Sequence, residues 1–407
     1  MAQIHGERLI GDLRTLRTFG ATETGVVRQT FSDIDMEARR WLQQQMVDAG
    51  LDASIDGVGN VFGRSPNPGP TLIIGSHSDT QPRGGWLDGA MGVLYGIEIA
   101  RSLRENQSTA GLSVDVVSWA DEESTYVSFL GSRSFVGELP DEDLSATNAG
   151  GESAAAAIER VGLGGVPRVT LEPDRHRYYF EPHIEQGPYL EERRQRIGVV
   201  TSIVGIRAAS VTFVGEQNHA GTTPMNRRAD AGVALFDYAV RMRERVAAAA
   251  GPTSVWTIGN ATLEPGAQSI IPGRASLTVQ WRDADEDTLD RMEAAIVSAA
   301  DEVDGAGPVR VEVSPSRVKV PPAGMDAVLR GHLADAAAQR APGEWAEMPS
   351  AAAHDAMILA EHLPSAMLFI PSIGGISHDF AEDSLEEDIV LGCQVMADAA
   401  ESLLQSA

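Results

Sequence analysis

At 407 residues, with 43% hydrophobic and 22% charged residues, the chain is longer than one core usually fills, and two domains of ordinary globular composition are expected. A formal net charge of -26 argues against nucleic acid or anionic membrane as a partner. The lone Cys393 excludes an intrachain disulfide and a thiolate cluster, so any metal must be held by His and carboxylate. No apolar run reaches the ~18 residues that mark a membrane helix, and no charged-then-apolar leader follows Met1, which predicts an unanchored, cytoplasmic protein. Lys319 is the only lysine, so Schiff-base chemistry is removed unless Lys319 carries it.

In chain order, Leu9, Leu13 and Leu16 share one face of a first helix that stops at Gly20. Ser32 with Asp35 three residues on has capping-box spacing, and Ala38, Leu42, Met46 and Ala49 line one face of the helix that follows to Gly50. Short strands are expected over 52–63. The apolar run Leu72 to Ile74 then empties into GSHSDTQPRGGWLDG (75–89), which reads as a buried strand delivering polar side chains into a loop before a helix from Ala90 to Leu103. His77 and Asp79, two apart, point to one side of a continuing strand, and Asp88 sits at the mouth of the next helix, where a carboxylate is stabilised. On this stretch alone, a metal-binding loop and a helix-capping Asp88 beside a loop histidine account for the residues equally well. The β-rich run Leu112 to Trp119 empties into Asp121, Glu122 and Glu123. Ligands in open α/β sheets gather beyond the carboxyl ends of strands, and here two strands deliver acids to that edge.

Residues 138–177 are acidic and poorly patterned apart from an Ala-rich helix near 152–161. EPHIEQGPYLEE (181–192) then sets His183 and Glu185 on one face of an extended segment. After Gly205 the pattern becomes strand (208–215), helix (228–249), strands (254–263 and 274–282), helix (285–303) and strand (308–314), the order of a ferredoxin-like domain. Ala366 to Ile370 reads as a buried strand ending in another Gly-flanked histidine, so the C-terminal part is expected to rejoin the first domain. The expected division is 1–205 with 319–407 as a discontinuous α/β metal-binding domain and 206–318 as an inserted α+β domain.

Four strand-end segments thus each offer a ligand: His77 with Asp88, Glu122 with Glu123, His183, and His378. Two imidazole–carboxylate sites sharing one bridging carboxylate need about this set, and imidazole plus carboxylate suits Zn, Mn, Co or Ni. Adjacent acids such as Glu122 and Glu123 are what a water-splitting two-metal site requires, one binding metal while its neighbour stays free as general base. In isolation such an acidic run is more often a solvated loop, but this one directly follows the buried run Val114 to Trp119.

These motifs resemble the carbamoylase and allantoate amidohydrolase branch of the M20-type dinuclear metallohydrolases. GSHSDTQPRGGWLDG, WADEESTYVSFLGSRSFVG (119–137), EPHIEQGPYLEE, GEQNHAGTTPMNRRADA (215–231) and PSIGGISHDFAED (371–383) match in the same order and span nearly the whole chain. The resemblance implies an α/β dinuclear metallohydrolase domain interrupted by a lid that also forms a homodimer. It implies two divalent metal ions per chain, with Asp88 bridging, His77, His183, Glu123 and His378 completing the set, and Glu122 as base. Whether His77 and His183 share a metal is left open. Gln186, Ser269 and Arg282 fall at substrate-binding positions. His219 matches a residue that reaches the partner's active site, touching substrate and stabilising the oxyanion.

The implied activity is hydrolysis of a non-peptide C–N bond in a small molecule, an N-carbamoyl (ureido) group on an amino-acid-like acid. The enzymatic alternative is an N-acyl amino acid or small dipeptide-like amide, and the rival of another class is a silent binding protein on the same fold. Every metal position is kept, which disfavours the silent protein. The departures lie near substrate: Ser124, Thr125 and Tyr126 stand where the family has Gly-Ser-Arg-Phe in a longer loop, Ser269 replaces Asn in PGAxNxIPG, and Ala353 replaces the Gly of SGAGHDA. A Ser hydroxyl is shorter than an Asn amide and offers different donors, so a preference for a bulkier or less polar tail than allantoate is expected.

Overall fold

The computed structural model describes residues 2–315 and 319–406, so the last three residues of the segment expected to be inserted lie outside it. The chain divides into two compact units, one of residues 1–201 with 324–407 and one of residues 202–323.

In the first unit, α1 (Gly6–Thr18) buries Leu9, Ile10, Leu13 and Leu16, and α2 (Asp33–Asp48) starts where the Ser32 side chain accepts the Asp35 N–H, as the capping spacing predicts. The strands β1 (Asp52–Ile55), β2 (Val61–Arg64), β3 (Thr71–His77), β4 (Ser113–Trp119), β5 (His176–Ile184) and β6 (Ile197–Ile203) follow. Two more, β13 (Trp345–Ser350) and β14 (Ser365–Ile370), come from the C-terminal part, after the strands numbered 7 to 12 of the second unit. All belong to a nine-stranded mixed sheet in which β6, β14, β5, β3, β4, β2 and β1 are successive neighbours. The centre of the sheet is parallel: β14 pairs with β5, β5 with β3, and β3 with β4. Strands β3, β4 and β14 are buried at every residue, which is why they read as mostly apolar runs rather than as alternation; the buried Asp115 of β4 is paired with Arg175. Between β3 and β4 the chain crosses over through α3 (Ala90–Glu105), whose residues Ala90 to Leu103 are all buried; the two charged ones are paired, Glu98 with Arg8 and Arg101 with Asp12. In the C-terminal part α8 (Ala327–Arg340) and α9 (Asp355–Leu359) precede the last helix, α10 (Glu386–Ser406), which closes the same core.

The second unit runs β7 (Gly205–Val214), β8 (Asn218–His219), α6 (Ala231–Ala249), β9 (Val255–Glu264), β10 (Ile270–Ile271), β11 (Arg274–Asp283), α7 (Glu286–Ala306) and β12 (Arg310–Pro315). Its four-stranded antiparallel sheet has the order β9-β11-β7-β12, and the short β8 and β10 pair separately. This is the β-α-β-β-α-β arrangement that the sequence predicts. Burial alternates along β7 and β11, so one face carries Val211, Phe213, Leu277, Val279 and Trp281 against Leu235, Tyr238 and Met242 of α6 and Leu289, Met292 and Ile296 of α7. Burying each of these large side chains stabilises the unit by roughly 1.5–3 kcal/mol.

After α4 (Leu130–Val136) the poorly patterned stretch 138–177 adds helix α5 (Ala154–Arg160) and a small separate core in which Ala154, Ala157, Ile158 and Leu163 meet Phe31, Val58, Tyr126 and Leu139. No helix among the described residues is long and apolar enough to cross a membrane.

Candidate functional site

Because the central strands are parallel, their carboxyl ends open on one edge, and the chemistry-bearing residues follow from there. Strand β3 ends at His77, whose Nδ1 lies 3.0 Å from the Asp79 carbonyl oxygen. After β4 the chain turns sharply at Asp121, with φ at +57°, and its carboxylate accepts the N–H groups of Thr125 (2.7 Å), Tyr126 (3.0 Å) and Val127 (2.7 Å). That closed turn holds Glu122 and Glu123 at the sheet edge. Near the end of β5, His183 has Nδ1 2.9 Å from the Ile184 carbonyl oxygen. The β14 strand leads into the irregular segment that carries His378. For both buried histidines a carbonyl accepts the Nδ1 proton, which turns Nε2 toward Asp88; the His183 Nε2 also lies 3.2 Å from the Gly89 N–H. Asp121, Ser124, Gln186 and His378 are all non-glycine residues with left-handed backbone, a strain that clusters where geometry is imposed by function.

Asp88 is the centre of the arrangement. Its Oδ1 lies 3.2 Å from His183 Nε2 and 3.9 Å from His77 Nε2, and its Oδ2 lies 3.3 Å from His378 Nε2. Glu123 Oε1 is 3.6 Å from that same His378 nitrogen. Two donor triads result, His77–Asp88–His183 and Asp88–Glu123–His378, each with ligand atoms within 4.8 Å of one another and sharing the two oxygens of one carboxylate. Glu122 stands beside them, with Oε2 3.6 Å from His77 Nε2. Gly89, at φ +63°, is required for this closeness, because a Cβ there would meet the His77 ring at 2.4 Å.

The donor set fits two divalent cations. Glu123 Oε1 is buried without a hydrogen-bond partner, an expensive state for a carboxylate oxygen unless a cation completes it. Burial pushes Glu122 well above the ordinary carboxylate range, reinforced by the charges of Glu123, Asp355 and Asp88. Glu123 is raised likewise, by burial and then by Asp88. Asp88 goes the other way: burial opposes its charge, but hydrogen bonds from His183 and His378 outweigh it and hold the carboxyl well below its usual range. His378 is pushed up to about 9, first by its hydrogen bond to Asp88, while burial lowers His77. So many acids crowded around three imidazoles is the electrostatics of a site built to be neutralised by positive charge.

Gln186 reaches the same place, its Nε2 donating to Asp88 Oδ1 at 3.1 Å and to Ser377 Oγ at 3.1 Å. The remaining site residues read from the sequence belong to the second unit. There His219 and Ser269 are brought together, since β8 pairs with β10 and the Ala220 N–H donates to the Ser269 carbonyl at 3.0 Å. His219 is exposed, and its Nδ1 accepts the N–H groups of Gly221 (3.0 Å) and Thr222 (3.1 Å), so the neutral ring carries its proton on Nε2. Arg282 is half-buried near the end of β11, with Nε donating to Gln280 Oε1 at 3.1 Å.

One local expectation changes. β5 stops at Ile184, and Glu185 bends away from the His183 face to accept the N–H groups of Tyr189 and Leu190 at 2.8 Å each, so its role is to close a turn. Asp79, expected beside His77, and two residues outside the sequence-predicted set, Gln81 and His354, also surround the cluster. Gln81 Nε2 donates to Glu123 Oε2 at 2.7 Å, and Asp79 Oδ2 accepts the Glu123 N–H at 3.2 Å. His354 is buried with its ring edge-on to His183 at 4.5 Å, and burial keeps it neutral by pushing its pKa well down. The sequence signal for His354 is its place in SAAAHDA, directly after Ala353.

The sequence profile of peptidase family M20/M25/M40 matches residues 73–402. The chain is 34% identical to an N-carbamoyl-L-amino acid amidohydrolase of Geobacillus stearothermophilus, covering 97% of each chain. It is 33% identical to an allantoate amidohydrolase of Escherichia coli (strain K12), covering 94% of each. Among solved structures, an amidase of the hydantoinase/carbamoylase family from Burkholderia phymatum superposes with a TM-score of 0.94 at 52% identity, over 100% of this chain and 99% of that one.

Proposed function

The chain belongs to peptidase family M20/M25/M40 and, within it, to the hydantoinase/carbamoylase amidases, and from that membership we propose that it cleaves the carbamoyl C–N bond of a ureido derivative of an amino-acid-like acid. The class of reaction is that of the family, hydrolysis of C–N bonds by an amidohydrolase. The observation that carries the finer reading is the pair of donor triads sharing Asp88, with Glu122 free beside them.

Two divalent ions, from among Zn, Mn, Co and Ni, would be held by His77, Asp88 and His183 and by Asp88, Glu123 and His378, and would supply Lewis-acid polarisation of water and carbonyl. Glu122 takes a proton from the attacking water and returns it to the leaving nitrogen, a task suited to a carboxylate whose proton affinity burial has raised. Arg282 grips the substrate carboxylate and Gln186 contacts the reacting group. One water is consumed, the bond from the carbamoyl carbon to the amino-acid nitrogen breaks, and the free amine leaves with carbamic acid, which decomposes to ammonia and carbon dioxide. Substrates with a bulkier or less polar tail should outrun allantoate, because Ser269 is shorter than the Asn of relatives. A Ser269→Asn variant should shift kcat/KM toward the simple carbamoyl substrates by roughly tenfold or more, the worth of one buried polar group matched or unmatched. Unchanged ranking of a ureido-acid panel would contradict that reading of Ser269.

His219 would serve as oxyanion donor through its Nε2 proton and would act on the active site of a second copy, in a homodimer formed by residues 206–318. Support comes from the fixed tautomer and from α6, where Val233, Phe236 and Val240 share an exposed apolar face. Inactive His219→Ala and Glu122→Gln chains, mixed and allowed to exchange, should then recover roughly a quarter of the wild-type rate, since half the dimers are mixed and each carries one intact site. Mixed dimers that form and stay inactive would contradict action in trans.

A further inference from the structure

We infer that Glu382 is a positioning residue that sets the bridging carboxylate Asp88 against His378, resting on the two-cation reading above. Glu382 lies four residues after His378 in a segment without regular strand or long helix, yet only 1% of it is exposed. Its Oε1 accepts the N–H groups of Asp88 (3.0 Å) and Leu87 (3.3 Å), and its Oε2 accepts the Ser377 hydroxyl at 2.8 Å. One carboxylate therefore ties the backbone of Asp88 to the residue next to His378. The tie closes into a ring, because Gln186 Nε2 donates both to Ser377 Oγ and to Asp88 Oδ1. Gly85 makes room for it: a Cβ there would meet Glu382 Oε1 at 1.8 Å, so a side chain at that position and the buried carboxylate exclude each other. A neighbouring bond from Trp86 Nε1 to Asp383 Oδ1 at 3.2 Å joins the same two segments.

The need for such a tie follows from where His378 sits. His77 and His183 are carried by buried strands, but His378 is half exposed, stands on an irregular loop and adopts a left-handed backbone at φ +53°. A ligand on a loop reaches the tolerance of a metal site only if outer hydrogen bonds fix it, and loss of such a partner typically costs 10–100-fold in metal affinity. The cation shared by Asp88, Glu123 and His378 should feel that loss more than the one at His77 and His183.

The test is titration of metal-stripped protein with Mn2+, followed by calorimetry and by the signal of free aqueous Mn2+, with melting of the metal-free chains measured alongside. Wild type should take up two ions. Glu382→Ala should weaken one of the two by about 10–100-fold and leave the other within a few-fold, with the metal-free chain melting close to wild type. Glu382→Gln, which keeps one oxygen for the two N–H groups and an amide that reaches Ser377, should restore most of the affinity. Should Glu382→Ala fail to fold, Ser377→Ala removes only the hydroxyl and should weaken the same ion by a smaller factor. Wild-type affinities for both ions in the variants would overturn the positioning role, as would equal loss of both ions together with a lowered melting temperature, the mark of a purely structural residue. A wild type that takes up no Mn2+ would overturn the two-cation reading, and this inference with it.

Discussion

Replacing Glu122 by Gln is expected to lower kcat by at least ~100-fold while the protein keeps both metal ions, because a general base contributes that much and an amide cannot take a proton. The two triads contain Glu123 but not Glu122, so the substitution removes proton transfer and spares the ligands. The amide is close in shape to the acid, and the buried neighbourhood of Glu122 already disfavours the charged form, so folding should change little. Parallel measurement of kcat and of metal content per chain decides it. Near-normal kcat with two ions bound would assign the base to another residue.

A larger effect is expected from Asp88→Asn. Both triads use this one carboxylate, Oδ1 toward His77 and His183 and Oδ2 toward His378, so an amide leaves one side facing a cation with N–H donors and removes the shared negative charge. Lewis-acid stabilisation is worth several kcal/mol, and each 1.36 kcal/mol is tenfold in rate, so a fall of roughly 10³-fold or more is expected. After dialysis against trace Zn2+ or Mn2+ the variant should hold fewer than two ions per chain. Full metal occupancy at wild-type affinity would show that Asp88 does not bridge.

Much of this site is legible in the sequence, for a physical reason. Parallel strands buried on both faces are continuous apolar runs, and the residues that follow each run must lie at its carboxyl end. Leu72 to Ile74, Val114 to Trp119 and Ala366 to Ile370 therefore announced the edge that gathers His77, Glu122, Glu123 and His378. The inserted unit was equally legible, because alternation in β7 and β11 and the helical period of α6 and α7 are local signals.

What escaped the sequence are groups whose meaning depends on a partner far along the chain. Glu382 sits among Asp379 and Asp383 in HDFAED, and nothing local marks it as the acid that folds back onto the N–H of Asp88, 294 positions away. Gln81 is another such case, an ordinary loop amide until β4 brings Glu123 to it. Residues 138–177 show no pattern because their small core depends on apolar residues from three other segments, Phe31 and Met36, Val58, and Tyr126 to Leu130, which leaves no period to find. Glu185 was misplaced because strand pairing ends at Ile184, and a turn took the carboxylate that alternation would have aimed inward.

The central claim is metal-dependent hydrolysis of a ureido C–N bond, and the stoichiometry of ammonia to free amine tests it most directly. Protein loaded separately with Zn, Mn, Co or Ni would be given N-carbamoyl amino acids with side chains from small to bulky, and the matching N-acetyl amino acids and dipeptides, with a chelator-treated control. The account predicts one ammonia released for each amino acid freed from the ureido substrates, activity lost with the metal and regained on adding it back, and little turnover of the acyl amides. Turnover of N-acyl amino acids or dipeptides with no ammonia from any ureido acid, or ureido hydrolysis that survives metal removal, would contradict it.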